Sequence, residues 1–253
     1  MPSRQRIFFL IMSVWGRPVS SFLNCRNLNM SSLKAMLSSE AASFSTKASE
    51  RDFDMVLDPL VVCGPSGVGK GTIIARYMED LGGKDRFGFT VSHTTRTPRL
   101  GEEDGVHYHF TSLEVMRREI DAGLFLEHAE VHGNLYGTSW SSMRNVQASG
   151  KRCLLDIDVQ GVRRLKSMEG PTLKPKYVFV APPSLDLLEK RLADRGTESA
   201  ESLARRTRNA RYEMEYGLEE GNFDCVVVNG DLDEATRKFS SIIEEIYPDI
   251  KHF

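Results

Sequence analysis

The sequence predicts an α/β protein built on a parallel sheet, and three observations carry that expectation. From Pro59 onward, short apolar runs alternate with longer amphipathic stretches. The runs are unbroken rather than alternating, which fits strands buried on both faces in a sheet covered by helices. The first run ends in a glycine-rich loop holding a lysine, and a helical pattern starts inside that loop, as at the opening of a βαβ unit.

Taken in order, the strand candidates are Leu60–Cys63, Cys153–Leu155, Tyr177–Val180 and Cys225–Val228. Helical candidates fall near 70–81, 184–194, 202–220 and 231–246, with Ser184 and Asp231 placed to cap two of them. The stretch from about 90 to 148 breaks the rhythm. It holds Pro98, Gly101, Gly105, Gly133 and Gly137, short β-like pieces and one helix starting near Ser112, and it is too long for a crossover. The expected organisation is an extension over 1–56 and one domain over 57–253, with a mixed α/β insert at about 90–148.

Composition excludes several classes. Lys+Arg 33 against Asp+Glu 35 gives a formal charge of −2, which argues against a general nucleic-acid binder. No run of about 18 uncharged apolar residues exists to span a bilayer. Cys63, Cys153 and Cys225 sit in strand-like runs, and no C-x-x-C spacing suggests zinc or redox work. His93, His107 and His128 have no such partner spacing either and read as incidental to metal binding.

Charge is unevenly spread. Residues 1–49 carry Arg4, Arg6, Arg17, Arg26, Lys34 and Lys47 against Glu40 alone, and they are rich in serine. Met30, Leu33, Leu37, Ala41 and Phe44 recur at helical spacing. Basic, acid-poor and serine-rich is the composition of an organelle transit peptide. Mitochondrial import is the expectation, with the cytosol and the plastid as alternatives. The apolar run Ile7–Trp15 resembles a secretory h-region, but Arg17 and Pro18 follow it at once and no A-x-A-like site does.

The strongest motif is Gly64-Pro65-Ser66-Gly67-Val68-Gly69-Lys70-Gly71, directly after the strand Leu60–Cys63 and before Ile73-Ile74-Ala75. This is the context of a Walker A phosphate loop. Its glycines let backbone N–H groups curl around phosphate oxygens, the helix N-terminus adds positive potential, and Lys70 adds a point charge. The usual Ser or Thr after the lysine is replaced by Gly71, and Thr72 follows. Direct ligation of Mg²⁺ by the loop is therefore in question.

Further motifs are Ser92-His93-Thr94-Thr95-Arg96-Thr97-Pro98-Arg99, Gly101-Glu102-Glu103-Asp104-Gly105-Val106-His107-Tyr108, Gly133–Thr138 and Leu155-Asp156-Ile157-Asp158-Val159-Gln160-Gly161. With the phosphate loop, this ordered set closely resembles the guanylate kinase family over residues from about 59 to 247. The resemblance implies a P-loop NTPase fold with a parallel core sheet flanked by helices, a GMP-binding insert and a helical lid over about 191–206. It implies transfer of the ATP γ-phosphoryl group to GMP with Mg²⁺ as cofactor, and lysine–glycine–threonine loops occur among nucleoside monophosphate kinases that hold the metal largely through water.

The residue roles follow the resemblance position by position, and the chemistry is consistent with them. Arg96 and Arg99 supply guanidinium groups suited to a phosphate dianion, and Ser92, Tyr108 and Tyr136 complete the matching set for the GMP phosphate. Guanine presents N1–H and N2–H donors, which call for acceptors. Glu127 and Asp158 match the family's guanine-reading carboxylates, and Thr138 stands where the family has a small hydroxyl residue. Asp156 ends a strand as a Walker B acid does and is expected to order the water shell of Mg²⁺. Arg195 and Arg206, together with Lys70 and Arg99, match the cations on the transferring phosphoryl. Asn229 and Gly230 correspond to a loop beside the adenine of ATP. The expected partners are GMP and ATP alone, with no nucleic acid or membrane and a monomeric protein. The rival class is a non-catalytic guanylate-kinase-like module that binds phosphopeptides; such modules commonly have eroded phosphate loops, whereas Lys70 and both lid arginines are present here.

Overall fold

Leu60, Val61, Val62 and Cys63 are all fully buried, and their alternate side chains enter two different apolar clusters. Successive residues of a strand face opposite sides of its sheet, so an unbroken apolar run means that both sides are covered. The computed structural model describes residues 57–131, 133–168, 173–194 and 200–248, all within the unit Asp54–Phe253. The calls on residues 1–56 and on Arg195 lie outside the described residues.

In chain order the elements are β1 (Leu60–Cys63), α1 (Lys70–Asp80), α2 (Gly83–Arg86), β2 (Phe87–Phe89), β3 (His93–Thr94), β4 (His109–Phe110), α3 (Leu113–Asp121), β5 (Phe125–Val131), β6 (Asn134–Ser139), α4 (Trp140–Ala148), β7 (Arg152–Asp156), α5 (Val159–Ser167), β8 (Lys176–Ala181), α6 (Leu185–Ala193), α7 (Ala200–Leu218), β9 (Cys225–Val228) and α8 (Leu232–Ile246). The core sheet has five strands in the order β2-β7-β1-β8-β9, and every neighbouring pair is parallel. The expected α/β architecture with a parallel sheet flanked by helices is what the structure has. β1 is central, so the loop leaving its C-terminal end opens into the crevice where such sheets bind ligands.

One face of the sheet is covered by α1, α6 and α8, which contribute Ile73, Tyr77, Leu188, Leu192, Phe239 and Ile243 to the first cluster. Tyr77 meets Phe87 and Phe239 edge-on at 6.0 and 5.4 Å between ring centres, which ties α1 to β2 and α8. The other face is covered by α4 and α5, with Met143, Val159, Val162 and Leu165, and by Tyr216 of α7. Ser184 and Asp231 cap α6 and α8 as expected, accepting from Leu187 N at 3.2 Å and Glu234 N at 2.9 Å.

The four-stranded second sheet, β4-β3-β6-β5, runs from His93 to Ser139. It pairs β3 with β4 in parallel, and β6 lies antiparallel to both β3 and β5. α4 follows it and packs back on β7 and β2 of the core. Ser112 caps α3 by accepting from Val115 N, in line with the helix start expected there. Among the described residues no helix is long and apolar enough to cross a membrane.

Candidate active site

The phosphate loop spans the gap between the buried end of β1 and the first turn of α1. Gly69 stands at the N-cap with φ 98, a left-handed value that side chains rarely tolerate. Any Cβ there would also run into the Nδ2 of Asn229. Lys70 Nζ donates to Gly64 O at 2.6 Å and to Pro65 O at 3.5 Å, so the loop folds around its own cation. Across from it, Asp156 at the end of β7 places Oδ1 at 3.8 Å from Lys70 Nζ. Burial pushes the Asp156 carboxyl up, and the Lys70 charge opposes that shift.

A cavity of about 210 Å³ extends from this loop to the second sheet. It is lined by Gly64, Ser66 and Lys70 of the loop together with Glu127, Tyr136 and Asp158. Ser92, Arg96, Arg99, Tyr108, Asp156 and Arg206 also line it. Residues nominated from motifs up to 142 positions apart in the chain thus share one wall. Thr138 is buried beside it, with its hydroxyl 3.1 Å from Ser92 Oγ.

Glu127 is 3% exposed. β5 shifts register between Phe125 and Glu127 against β6, and such an irregularity re-aims side chains. Leu126 goes into the core and Glu127 into the cavity. Burial raises the Glu127 pKa to about 7, while hydrogen bonds from Thr138 pull it down and nearby Asp158 adds to the rise. Asp158 caps α5, accepting from Gly161 N at 2.9 Å through Oδ1 and from Gln160 Nε2 at 3.1 Å through Oδ2. A carboxylate has about four lone-pair sites, so both acids keep acceptor capacity toward the cavity.

Arg96 is pre-set by a residue that motif reading left without a role. Its Nη1 and Nη2 donate to the two carboxylate oxygens of Glu102, each at 2.9 Å, and the Arg99 amide donates to Glu102 Oε2 at 2.7 Å. The guanidinium also lies 5.4 Å from the Tyr108 ring centre, and Tyr108 meets Tyr136 edge-on at 5.9 Å. Glu102 therefore fixes the turn that carries both arginines. The spacing of Glu102 six residues after Arg96 inside a Pro/Gly turn was the available signal.

Asn229 sits elsewhere than at the cavity wall. It is buried, and its Nδ2 donates to Val68 O at 2.7 Å, bracing the phosphate loop from the end of β9. Arg191 of α6 donates to Asn229 O at 3.0 Å and to Gly230 O at 3.2 Å, so α6 holds this loop too. Gly71 and Thr72 are exposed on the first turn of α1. Glu213 of α7, also on the cavity wall, was not singled out by any motif.

The guanylate kinase family model matches residues 56–246. The chain belongs to the guanylate kinase family. It is 51% identical to the guanylate kinase of Sus scrofa over 70% of this chain and 87% of that one. The figures for the Homo sapiens guanylate kinase are 49%, 74% and 92%. It is 50% identical to guanylate kinase 1 of Arabidopsis thaliana, and there the aligned part is 73% of this chain but only 46% of the relative's length. The crystal structure of guanylate kinase from Anaplasma phagocytophilum superposes with a TM-score of 0.58 at 29% identity, covering 75% of this chain and 86% of that one. The guanylate kinase family match begins at residue 56, so the basic, serine-rich segment precedes it.

Proposed function

We propose that the chain is a nucleoside monophosphate kinase that transfers the γ-phosphoryl group of ATP to GMP, giving ADP and GDP. The observation that carries this is the single cavity joining a lysine-bearing phosphate loop to a paired carboxylate site. Glu127 and Asp158 are acceptors for the N1–H and N2–H of guanine, and adenine has no matching donor pair. Ser92, Arg96, Arg99, Tyr108 and Tyr136 line the same cavity as those acids and Lys70, and they would hold the acceptor phosphate. A GMP phosphate oxygen attacks the γ-phosphorus, and the bond to the β–γ bridging oxygen breaks as ADP leaves. That oxygen is already nucleophilic, so no general base is required.

The protein's contribution is placement and charge. Lys70 and the loop amides hold the donor phosphates, and Arg206 and Arg99 face the region where charge spreads in the transition state. Arg195 is assigned the same task on the family resemblance. Mg²⁺ usually keeps several waters and is bound through one or two carboxylates plus substrate phosphates. Asp156, with its side chain 26% exposed on the cavity wall, fits that requirement, and Gly71 puts no hydroxyl directly after Lys70. Bound there with ATP, the ion would neutralise charge on the β- and γ-oxygens.

The test is ADP release by the full chain with Mg²⁺ and ATP, offering GMP, AMP, UMP or CMP. GMP-dependent turnover that Lys70→Ala lowers by about 100-fold or more is the expected result. No turnover with any acceptor by a folded protein would overturn the reading and leave a binding module. Import of residues 1–56 into mitochondria is proposed on composition alone. A fluorescent fusion of that segment tests it, and a cytosolic or plastid signal overturns it.

A further inference from the structure

Two side chains of α7 converge on one residue of the phosphate loop. Arg206 Nη1 donates to Ser66 Oγ at 3.4 Å. Glu213 follows seven residues later on the same helical face; it lines the same cavity as Ser66, whose amide lowers its proton affinity. Ala210 lies between them and is 2% exposed, in the same buried cluster as Val68 of the loop and Leu188 and Leu192 of α6. A Cβ on Gly67 would strike Leu192 Cδ2 at 2.6 Å, so α6 also rests closely on the loop. α7 is thus seated on the phosphate loop by an apolar patch, with the Arg206–Ser66 contact on one side and Glu213 on the wall of the cavity that Ser66 also lines.

We propose that Glu213 is a positioning residue for phosphoryl transfer: by accepting from the Ser66 amide it locks α7 onto the phosphate loop and so sets where Arg206 meets the transferring group. The inference rests on the phosphotransfer reading above. Glu213 is not among the residues that the family motifs match to the acceptor site. It is also no simple counter-ion. Its charge is favoured by Lys70 and the Ser66 amide but opposed by burial and by Asp158. What it offers is an acceptor in a fixed place on a helix that also carries a phosphoryl-facing arginine.

A shift of about 1 Å in a group facing the reacting atoms can cost on the order of 100-fold in rate. Loss of this anchor should therefore appear in kcat and leave binding of either substrate little changed. The experiment compares the full chain with Glu213→Ala and Glu213→Gln by steady-state kinetics in ATP and GMP, with ATP binding by calorimetry and folding by circular dichroism. For Glu213→Ala the expected result is a kcat at least about 10-fold lower with KM for GMP and Kd for ATP within about threefold of the parent. Glu213→Gln keeps a carbonyl acceptor for the amide and should recover most of that loss. A kcat for folded Glu213→Ala within about twofold of the parent overturns the inference. So does a Glu213→Gln that behaves like the alanine variant, or a loss confined to melting temperature. If the unmodified chain shows no GMP-dependent turnover, the function reading fails and this inference with it. If the unmodified chain turns over and the alanine variant matches it, only this inference fails.

Discussion

Acidification should weaken GMP binding well before the protein unfolds, and Glu127 is the group that causes it. The residue is 3% exposed, and burial raises its pKa from 4.5 to about 7. At 1.36 kcal/mol per pKa unit, ionising it in the free protein costs on the order of 3 kcal/mol more than in water. Guanine needs the ionised form, because a protonated carboxyl turns one acceptor oxygen into a donor facing another donor. Affinity then scales with the ionised fraction, falling about tenfold for each pH unit below 7 and levelling off above it. Binding at pH 6 should release about nine-tenths of a proton from this group. Titration calorimetry in two buffers of different ionisation enthalpy counts that proton. The GMP phosphate itself titrates near about 6, so Glu127→Gln is the reference that isolates the carboxyl. A proton count identical in the parent and Glu127→Gln would refute the argument.

The same shift has a consequence for stability with the opposite sense. A carboxyl whose folded pKa lies above its unfolded value holds its proton more tightly when folded. Its stabilising contribution is full below about 4.5 and is lost as pH rises through about 7. Free protein should therefore be more resistant to urea at pH 5.5 than at pH 8. Glu213, also raised to about 7 by burial, acts in the same direction. The difference between parent and Glu127→Gln unfolding curves, not the parent curve alone, reports Glu127.

Gly161→Ala should raise KM for GMP about 10-fold or more with little change for ATP, since a lost hydrogen bond to a charged group costs on the order of 1.5–3 kcal/mol; its Cβ would lie 2.6 Å from Glu127 Oε2 and displace the guanine-facing carboxylate. Steady-state kinetics in each substrate check it, and an unchanged GMP KM would show that the carboxylate can move without loss. Asn229→Ala strands the buried Val68 carbonyl that its Nδ2 now meets at 2.7 Å. The cost should be about 1–3 kcal/mol in urea unfolding, with a raised KM for ATP and an unaltered one for GMP. Phe239→Ala empties a fully buried site against Tyr77; about 3–5 kcal/mol should be lost, seen by calorimetry as a melting point lower by roughly 10 °C.

What the sequence reveals about this chain follows from how local each signal is. The phosphate loop, the four unbroken strands, the helix start near Ser112 and the caps Ser184 and Asp231 are written in consecutive residues, and the structure has all of them. β2 is three residues with a central glycine, Phe87-Gly88-Phe89, and has no periodicity to read; parallel pairing with β7 makes it a strand. α4 and α5 were missed because each begins among residues read first as site chemistry, after Thr138 and at Asp158. The candidate site divides in the same way. Glu127 is recognisable by type and motif, but a register irregularity in β5 turns it into the cavity, and depth of burial, which has no sequence signature, sets its proton affinity. Glu213 lies on a 19-residue helix, and only the packing of Ala210 shows which face meets the loop. Residue type thus states what a side chain can do, whereas the partners brought by tertiary packing decide its charge and its aim. Mutations at Gly161, Asn229 and Glu213 probe that second layer, since none of the three substitutions removes one of the arginines or guanine acids that the motifs single out.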